Sequence, residues 1–206
     1  MPYSTLIFDL SEVIIRGFLG VEQTLTPLLR VSEGQIVKAF GGDILTSLCK
    51  GEITENEYWT SGLESHNWNL PLNDAKRYIR ENFQQTVPGM VDVITELSKS
   101  YQLVILSDHA HEWVEYILDY HQFLDVFSLK MFSYEFGSVK SEPETFEKAL
   151  ARIDTPPERC LFVDDNQRNI ATAKMAGLYG LHFTHTDALV KKLTQRNILN
   201  NAQATE

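Results

Sequence analysis

Five short apolar runs, separated by segments with helical periodicity, constrain the fold of this chain more than any other feature of its sequence. Runs of this length, rich in Leu, Ile, Val and Phe, are typical of strands buried on both faces of a parallel sheet. From residue 88 onward, strand-like and helical segments alternate. This alternation predicts an α/β fold with a doubly wound parallel sheet. The predicted strands cover residues 6–8, 103–106, 129–132, 161–163 and 180–183.

Residues 15–86 interrupt this alternation, because they contain helix-start signals but no clear strand. Two capping boxes, Ser32 with Gln35 and Thr54 with Glu57, predict helix starts there. We therefore expect an all-helical cap, inserted after the first strand and lying over the carboxyl edge of the sheet. The predicted boundaries are a core of residues 1–14 and 87–194, a cap of residues 15–86 and a flexible tail of residues 195–206.

Charge and cysteine content narrow the choice of partner and compartment. A formal net charge of −10 disfavours nucleic acid and anionic membranes as partners, because neither gains by releasing counterions to an acidic protein. No apolar stretch approaches membrane-spanning length, and the first residues lack the basic start of a secretion signal. Cys49 and Cys160 match no metal spacing, which favours two reduced thiols. We expect a cytoplasmic protein, either a monomer or a homodimer.

Acidic residues follow two of the predicted strands. Asp9 ends the first, and the pair Asp164 and Asp165 ends the fourth. Carboxylates at the carboxyl ends of neighbouring parallel strands converge on one crevice, where unpaired negative charge is costly. Mg²⁺ would relieve that cost, because it prefers oxygen ligands. Taken singly, each aspartate could instead cap the helix that follows it.

Four segments at predicted strand ends, in this order and spacing, resemble the motifs of the haloacid dehalogenase-like hydrolase superfamily. The resemblance covers residues 5–194 and is strongest to small bacterial sugar-phosphate phosphatases and to the phosphatase domain of soluble epoxide hydrolase. It implies a Rossmann-like core with a helical cap, Mg²⁺ as cofactor and a small phosphorylated substrate. The segments are Asp9-Leu10-Ser11-Glu12-Val13, Ser107-Asp108, Gly137-Ser138-Val139-Lys140 with the following Glu142-Pro143-Glu144, and Asp164-Asp165 with Asn169.

The resemblance also implies roles for individual side chains in phosphoryl transfer. Asp9 matches the nucleophile that forms an aspartyl-phosphate, which splits one difficult displacement into two easier ones. Ser107 matches the hydroxyl that holds a transferring phosphoryl oxygen, and Lys140 matches the lysine that neutralises charge between nucleophile and phosphoryl group. The expected catalytic residues are therefore Asp9, Ser107 and Lys140. The expected phosphate-binding residues are Ser107, Asp108 and Lys140.

A metal site is implied by the first and fourth motifs together. The predicted Mg²⁺ ligands are Asp9, Asp165 and the backbone carbonyl of Ser11, with Asp164 as a second carboxylate or one that stands behind the ligands. Asn169 falls one turn into the following helix and is expected to orient the ligands, although it could equally be an ordinary polar helix residue.

Ser11 departs from the family pattern, which has an aspartate acid/base two residues after the nucleophile. A serine hydroxyl cannot replace that carboxylate as an acid at neutral pH, and losing a positioned acid/base costs on the order of 10²–10⁴ in rate. Three consequences are open. The substrate could have a leaving group that needs little protonation, such as an acyl or aryl phosphate; Glu12 could supply the proton; or the chain could be a degenerate binding module for a phospho-ligand or a protein.

Two further departures lie next to motif residues. Ser141 stands where the family usually has proline after the lysine, which loosens the loop without removing the charge. Asp108 stands where many relatives have a neutral residue, and its carboxylate would repel phosphate unless it is protonated, paired or turned away. His109 and His111 could pair with Asp108, although each is otherwise expected on the surface.

Aromatic residues of the predicted cap are candidates for the substrate crevice, but for each of them packing among the cap helices is the stronger expectation. They are Phe18, Phe40, Tyr58, Trp59, His66 and Trp68.

The sequence thus predicts a Mg²⁺-dependent phosphatase acting on a small phosphorylated metabolite. A metal-independent 2-haloacid dehalogenase is an alternative, because the superfamily's dehalogenases also lack the second aspartate. It is less favoured, because the adjacent carboxylates of Asp164 and Asp165 would repel an anionic haloacid.

Overall fold

A single parallel sheet forms the centre of the computed structural model, which describes residues 3–200. The strand order is β3-β2-β1-β4-β5, so β1 lies in the middle with β2 and β4 on either side. All five predicted strands are confirmed, and their bounds differ from the predicted ones by at most one residue at either end. The strands are β1 Thr5–Phe8, β2 Gln102–Ser107, β3 Leu129–Phe132, β4 Cys160–Asp164 and β5 Tyr179–His182.

Eleven α-helices surround the sheet within the described residues. Six of them lie between β1 and β2, and the first five form a unit that we call the helical segment: α1 Val21–Leu29, α2 Glu33–Phe40, α3 Asp43–Cys49, α4 Glu55–Ser65 and α5 Leu72–Phe83. The remaining helices connect or follow the later strands: α6 Met90–Ser98, α7 His111–Tyr120, α8 Ser133–Phe136, α9 Pro143–Leu150, α10 Gln167–Met175 and α11 Thr186–Gln195. Both predicted capping boxes are formed, at the starts of α2 and α4.

Each face of the sheet is covered by its own apolar cluster, as the two-residue period of a strand requires. In β1, Leu6 and Phe8 point into the larger cluster, whereas Ile7 points into the smaller one with Phe146 and Phe162. All three β1 residues are at most 1% exposed. The sheet is therefore buried on both sides, which leaves the carboxyl ends of its strands as the place where polar side chains gather.

The last described residues differ from the tail that was predicted to begin at residue 195. Gln195 ends helix α11, and Ile198 is buried against the larger apolar cluster. The prediction missed this contact because residues 195–206 show no helical period of their own. Residues 201–206 of that tail lie outside the described residues.

None of the described helices is long and apolar enough to cross a bilayer.

Candidate active site

The carboxyl ends of β1 and β4 bring together the acidic residues of the first and fourth motifs. Phe8 pairs with Val163, and the Asp9 amide donates a hydrogen bond to the Val163 carbonyl at 2.9 Å. Carboxylate oxygens of Asp9, Asp164 and Asp165 lie within 4.8 Å of one another. Residues far apart in the chain thus form one acidic cluster at the centre of the carboxyl edge.

Lys140 lies inside this cluster. Its Nζ is 2.6 Å from Asp9 Oδ1 and 2.8 Å from Asp164 Oδ2, and its side chain is only 2% exposed. Burial alone would lower the pKa of Lys140, but Asp164 and Asp9 outweigh it and raise the pKa above its ordinary value. Lys140 is therefore a permanent cation in contact with Asp9, the residue predicted to be the nucleophile.

The cluster has more negative than positive charge. Burial raises the pKa of Asp9 and of Asp164, even though Lys140 opposes the shift in both cases. The pKa of Asp165 is also raised, by burial and by the neighbouring Asp164. Three carboxylates face one ammonium group, so the geometry and the charge both suit a further cation.

The two oxygens of Asp9 have different surroundings. Oδ1 accepts hydrogen bonds from the Leu10 amide at 2.7 Å and from Ser107 Oγ at 2.6 Å, besides the contact with Lys140. Oδ2 has no hydrogen-bond partner among residues 3–200. One oxygen thus fixes the carboxylate in place, while the other is left to react.

Asp164 is saturated with donors, whereas Asp165 is not. Asp164 accepts from the Asn166 amide, from Lys140 and, with both oxygens, from Asn169 Nδ2. Asp164 is fully buried, but Asp165 is partly exposed at the crevice. The position of Asn169 agrees with its predicted orienting role, although it acts on Asp164.

Asp108 pairs with the backbone of the loop that carries Lys140. Both of its carboxylate oxygens accept from the Lys140 amide, at 3.0 and 3.2 Å. Burial raises the pKa of Asp108 to about 6 in spite of Lys140. Of the three ways to avoid repelling a phosphate, the structure shows pairing, because the carboxylate braces the lysine loop. Asp108 also lines the crevice that contains Asp9 and Lys140.

His109 is the functional candidate that sequence reasoning misplaced. It was expected either beside Asp108 or on the surface, as His111 is, but it is 2% exposed and its Nε2 lies 2.9 Å from Ser11 Oγ. Burial lowers the pKa of His109 to about 3, so the ring is neutral. The sequence does contain one signal for a location near the site, because His109 comes two residues after Ser107 at the same strand end.

Glu12, one of the alternatives left open for the missing acid, is hydrogen-bonded to its own loop. Its Oε1 accepts from the Gly17 amide at 2.7 Å, and its Oε2 lies 3.4 Å from Arg16 Nη1. The backbone of Glu12 is in the left-handed region, with φ 59°, which is uncommon for a residue other than glycine. In this conformation the carboxylate faces the loop that contains Gly17.

Two adjoining cavities open at the carboxyl edge. The inner one, about 250 Å³, is lined by Asp9, Ser107, Lys140 and Asp165, together with Ser11. The outer one, about 290 Å³, lies between the core and the helical segment. Its apolar lining consists of Phe18, Leu45, Cys49, Phe83, Trp113 and Val139.

Most of the aromatic candidates lie away from these cavities. Phe18 lines both cavities. In contrast, Phe40, Tyr58 and Trp59 line neither and are buried inside the larger apolar cluster. Trp68 packs against that cluster, and His66 stacks on Trp68 at 4.6 Å. Packing among helices, the stronger expectation, holds for these five residues.

Comparison with known proteins gives the same family as the motifs. A family model described as haloacid dehalogenase-like hydrolase matches residues 3–177. Pyrophosphatase PpaX of Bacillus cereus is 25% identical over 185 residues, covering 86% of this chain and 81% of its own length. Acyl-CoA dehydrogenase family member 10 of Mus musculus is 25% identical over 205 residues, but the match spans only 19% of that protein.

Solved structures show the same fold. A haloacid dehalogenase family enzyme from Bacteroides thetaiotaomicron, crystallised with magnesium and inorganic phosphate, has a TM-score of 0.75 at 19% identity and covers 89% of this chain and 95% of its own. A dehalogenase captured as an intermediate complex has a TM-score of 0.71 at 13% identity, covering 89% and 85%. These likenesses show the fold, and the match of the family model assigns this chain to the haloacid dehalogenase-like hydrolases.

Proposed function

We propose that the chain is a Mg²⁺-dependent phosphatase that hydrolyses a small phosphorylated metabolite through an aspartyl-phosphate at Asp9. The observation that carries this proposal is the asymmetry of the Asp9 carboxylate, in which Oδ1 is held by three donors and Oδ2 is unpartnered among the described residues. A nucleophile needs this combination of fixed geometry and one free lone pair.

The first chemical step is a displacement at phosphorus. Asp9 Oδ2 forms a bond to phosphorus, the bond from phosphorus to the leaving oxygen breaks, and its electron pair stays on that oxygen. Lys140 and Ser107, both in contact with Asp9, are placed to hold the phosphoryl oxygens as the bond forms. In the second step a water oxygen attacks phosphorus, the bond to Asp9 breaks, and both protons of the water leave on the phosphate.

The residues present fit Mg²⁺. Asp9, Asp164 and Asp165 offer hard oxygen ligands within 4.8 Å, and their charge exceeds that of Lys140. The ion would be held by Asp9, Asp165 and the backbone carbonyl of Ser11. Asp164 would not bind the ion directly, because its oxygens already accept hydrogen bonds from Lys140 and the Asn166 amide. When bound, Mg²⁺ offsets the charge between the carboxylates and an incoming phosphoryl group. The Bacteroides thetaiotaomicron enzyme, crystallised with magnesium and phosphate, supports this assignment.

We also propose that the helical segment is the cap. It supplies Leu45 and Cys49 from α3 and Phe83 from α5 to the outer cavity, which adjoins the inner cavity that contains Asp9. A leaving group bound there would be shielded from water by both parts of the protein. For Asp108 the structure supports a bracing contact to Lys140, so its phosphate-binding role stays a prediction.

The cytoplasmic location also stays a proposal. It is supported by two free, buried cysteines, Cys49 and Cys160, because unpaired thiols suit a reducing compartment.

Phosphate release tests the proposed function. The protein is stripped of metal with EDTA and assayed with p-nitrophenyl phosphate and acetyl phosphate, with and without Mg²⁺. Activity should require Mg²⁺, and Asp9→Asn should lower it by at least about 10³-fold, because the amide is a poor nucleophile. Asp125→Asn is the matched control, since the Asp125 side chain is 84% exposed.

Metal binding is tested separately from turnover. Titration calorimetry with Mg²⁺ should give a binding isotherm for the wild type that weakens in Asp165→Asn and is unchanged in Asp125→Asn. Activity that survives both EDTA and Asp9→Asn would refute the proposal. Absence of turnover with intact Mg²⁺ binding would favour the binding module, and metal-independent halide release from a 2-haloacid would favour the dehalogenase.

A further inference from the structure

Ser11 stands where the two cavities meet. It lines the inner cavity with Asp9 and Lys140 and also the outer cavity with Phe83 and Trp113. If phosphorus lies beside Asp9 and the rest of the substrate lies in the outer cavity, the bond that breaks crosses this junction. The hydroxyl of Ser11 is therefore next to the leaving oxygen.

The conformation of Ser11 is fixed from two sides. Its Oγ is 2.9 Å from His109 Nε2. On the other side is Gly17, where an added Cβ would lie 2.7 Å from Ser11 Oγ, too close for any side chain. Gly17 and His109 thus enclose the hydroxyl, which loses little freedom when a substrate binds.

His109 itself is held among aromatic rings. Its centroid is 5.9 Å from that of Phe83, 6.3 Å from Trp113 and 6.4 Å from Phe132, each in an edge-to-face arrangement. Its Nδ1 is buried without a partner among the described residues. A buried N–H without an acceptor is rarer than a buried acceptor without a donor, so the proton belongs on Nε2. The ring then donates to Ser11 Oγ and leaves the hydrogen of Ser11 free.

We propose that Ser11, oriented by the Nε2–H of His109, donates a hydrogen bond to the leaving oxygen in place of the missing aspartate acid, and that His109 is its positioning residue. The inference rests on the proposed phosphatase function. The bond from phosphorus to the leaving oxygen breaks, the electron pair remains on that oxygen, and the Ser11 proton is shared but not transferred. The leaving group departs as an anion and takes a proton from water only afterwards.

This donor defines a substrate class. Without a proton from the enzyme, the leaving oxygen must tolerate negative charge, as the oxygens of phenols and carboxylic acids do and those of sugar alcohols do not. The outer cavity offers such a leaving group both an apolar and a polar lining. The apolar residues are Phe18, Leu45, Phe83, Trp113 and Val139, and the polar ones include Thr46, Ser141 and Arg168. We therefore expect aryl or acyl phosphates as substrates.

Leaving-group dependence tests the proposal. The value of kcat/KM is measured in Mg²⁺ for a series of substituted phenyl phosphates, whose phenols differ in acidity, and for an alkyl phosphate. The enzymes are the wild type, Ser11→Ala, His109→Phe and His109→Gln. The Gln amide can place an N–H near the position of Nε2, whereas Phe keeps the ring but removes the donor. Melting temperature confirms that each variant is folded.

Ser11→Ala should lose about 10- to 100-fold on the least acidic phenol and much less on p-nitrophenol, because a hydrogen bond to a charged oxygen is lost. His109→Phe should steepen the dependence in the same direction, and His109→Gln should restore most of it. In the double variant Ser11→Ala with His109→Phe, the loss should equal that of Ser11→Ala alone. Ser11→Asp should raise activity on the alkyl phosphate.

A loss by the same factor for every substrate in Ser11→Ala and His109→Phe would overturn the proposal, because it would indicate a purely structural role. Additive losses in the double variant would also overturn it. These failures differ from failure of the phosphatase assignment, in which the wild type would release no phosphate or Asp9→Asn would match it. That result would remove the basis of the inference as well.

Discussion

At the scale of single residues, Lys140 shows how much the acidic cluster depends on one cation. It contacts both Asp9 and Asp164, whose pKa values burial raises despite it. Removing a single partner from a buried ion pair is costly, since the other charge stays buried and unpaired. The stability of the metal-free protein should therefore depend on this lysine as strongly as catalysis does.

Lys140→Met should lower the free energy of unfolding by about 3 kcal/mol in EDTA. Without the lysine, the folded-state pKa values of Asp9 and Asp164 rise further. Because a raised carboxyl pKa favours folding only while the group is protonated, stability is lost as pH rises through the folded-state pKa, and the deficit should grow with pH. Urea unfolding at several pH values measures this.

The matched control for Lys140→Met is Lys99→Met, because the Lys99 side chain is 62% exposed and pairs with Glu96 on the surface. It should change stability by no more than about 0.5 kcal/mol. An equal effect of both substitutions would show that the cluster does not depend on the Lys140 charge.

At the scale of elements, α2 and α4 of the helical segment approach each other closely at one point. Gly62 lies inside α4, where glycine normally costs about 1 kcal/mol relative to alanine. A Cβ at Gly62 would lie 2.3 Å from Cε1 of Phe40, which ends α2 and is fully buried. The ring occupies the space that a side chain would need, so this helix requires glycine for packing.

Gly62→Ala should therefore destabilise the protein, although alanine is the better helix former. Overpacking costs typically 1–3 kcal/mol, which exceeds the gain of about 1 kcal/mol in helix propensity. We expect a net loss of about 1 kcal/mol by thermal or urea unfolding.

Gly34→Ala in α2 is the opposite case, because nothing lies within 4 Å of a Cβ built there. That substitution should leave stability unchanged or raise it by up to about 1 kcal/mol. If both variants gain stability, Phe40 has room to move and the packing argument fails.

The sequence predicts features that have a local signal, and it does not predict contacts between segments that are distant in the chain. The strands and the capping boxes have local signals of this kind. Asp9 and Asp164 lie at the ends of apolar runs, so their positions at strand ends are also predicted. The pairing of Ser11 with His109 joins two loops from different strands and has no local pattern. The burial of Ile198 likewise depends on a surface that the rest of the fold creates.

At the scale of the whole molecule, one apolar cluster continues from the sheet into the helical segment. Phe8 and Ile105 of the sheet belong to the same cluster as Phe40 and Trp59 of the helices. A shared core makes the two parts unfold together, as small proteins with one core usually do. The predicted division into core and cap therefore does not imply two independently stable units.

Glu55 strengthens this junction by a polar contact. It is 1% exposed, and its carboxylate accepts from Arg80 at 2.6 and 2.8 Å and from Trp113 Nε1 at 2.9 Å. Glu55 and Arg80 belong to the helical segment, whereas Trp113 belongs to α7 of the core. Burial raises the pKa of Glu55, but the bonds from Arg80 and Trp113 outweigh it and leave the pKa below its ordinary value of 4.5.

Glu55→Gln should weaken the whole molecule by about 2 kcal/mol at neutral pH, because bonds between the carboxylate and Arg80 are lost. A lowered carboxyl pKa gives stability that is present above pH 4.5 and is lost as pH falls through the folded-state pKa, so the deficit should shrink on acidification.

Urea unfolding followed by tryptophan fluorescence and by circular dichroism should show one shared transition. Exposed Glu64 on the same helix is the control, and Glu64→Gln should change little. If Glu55→Gln separates the two transitions, the ion pair, and not the shared apolar core, is what couples the helical segment to the sheet.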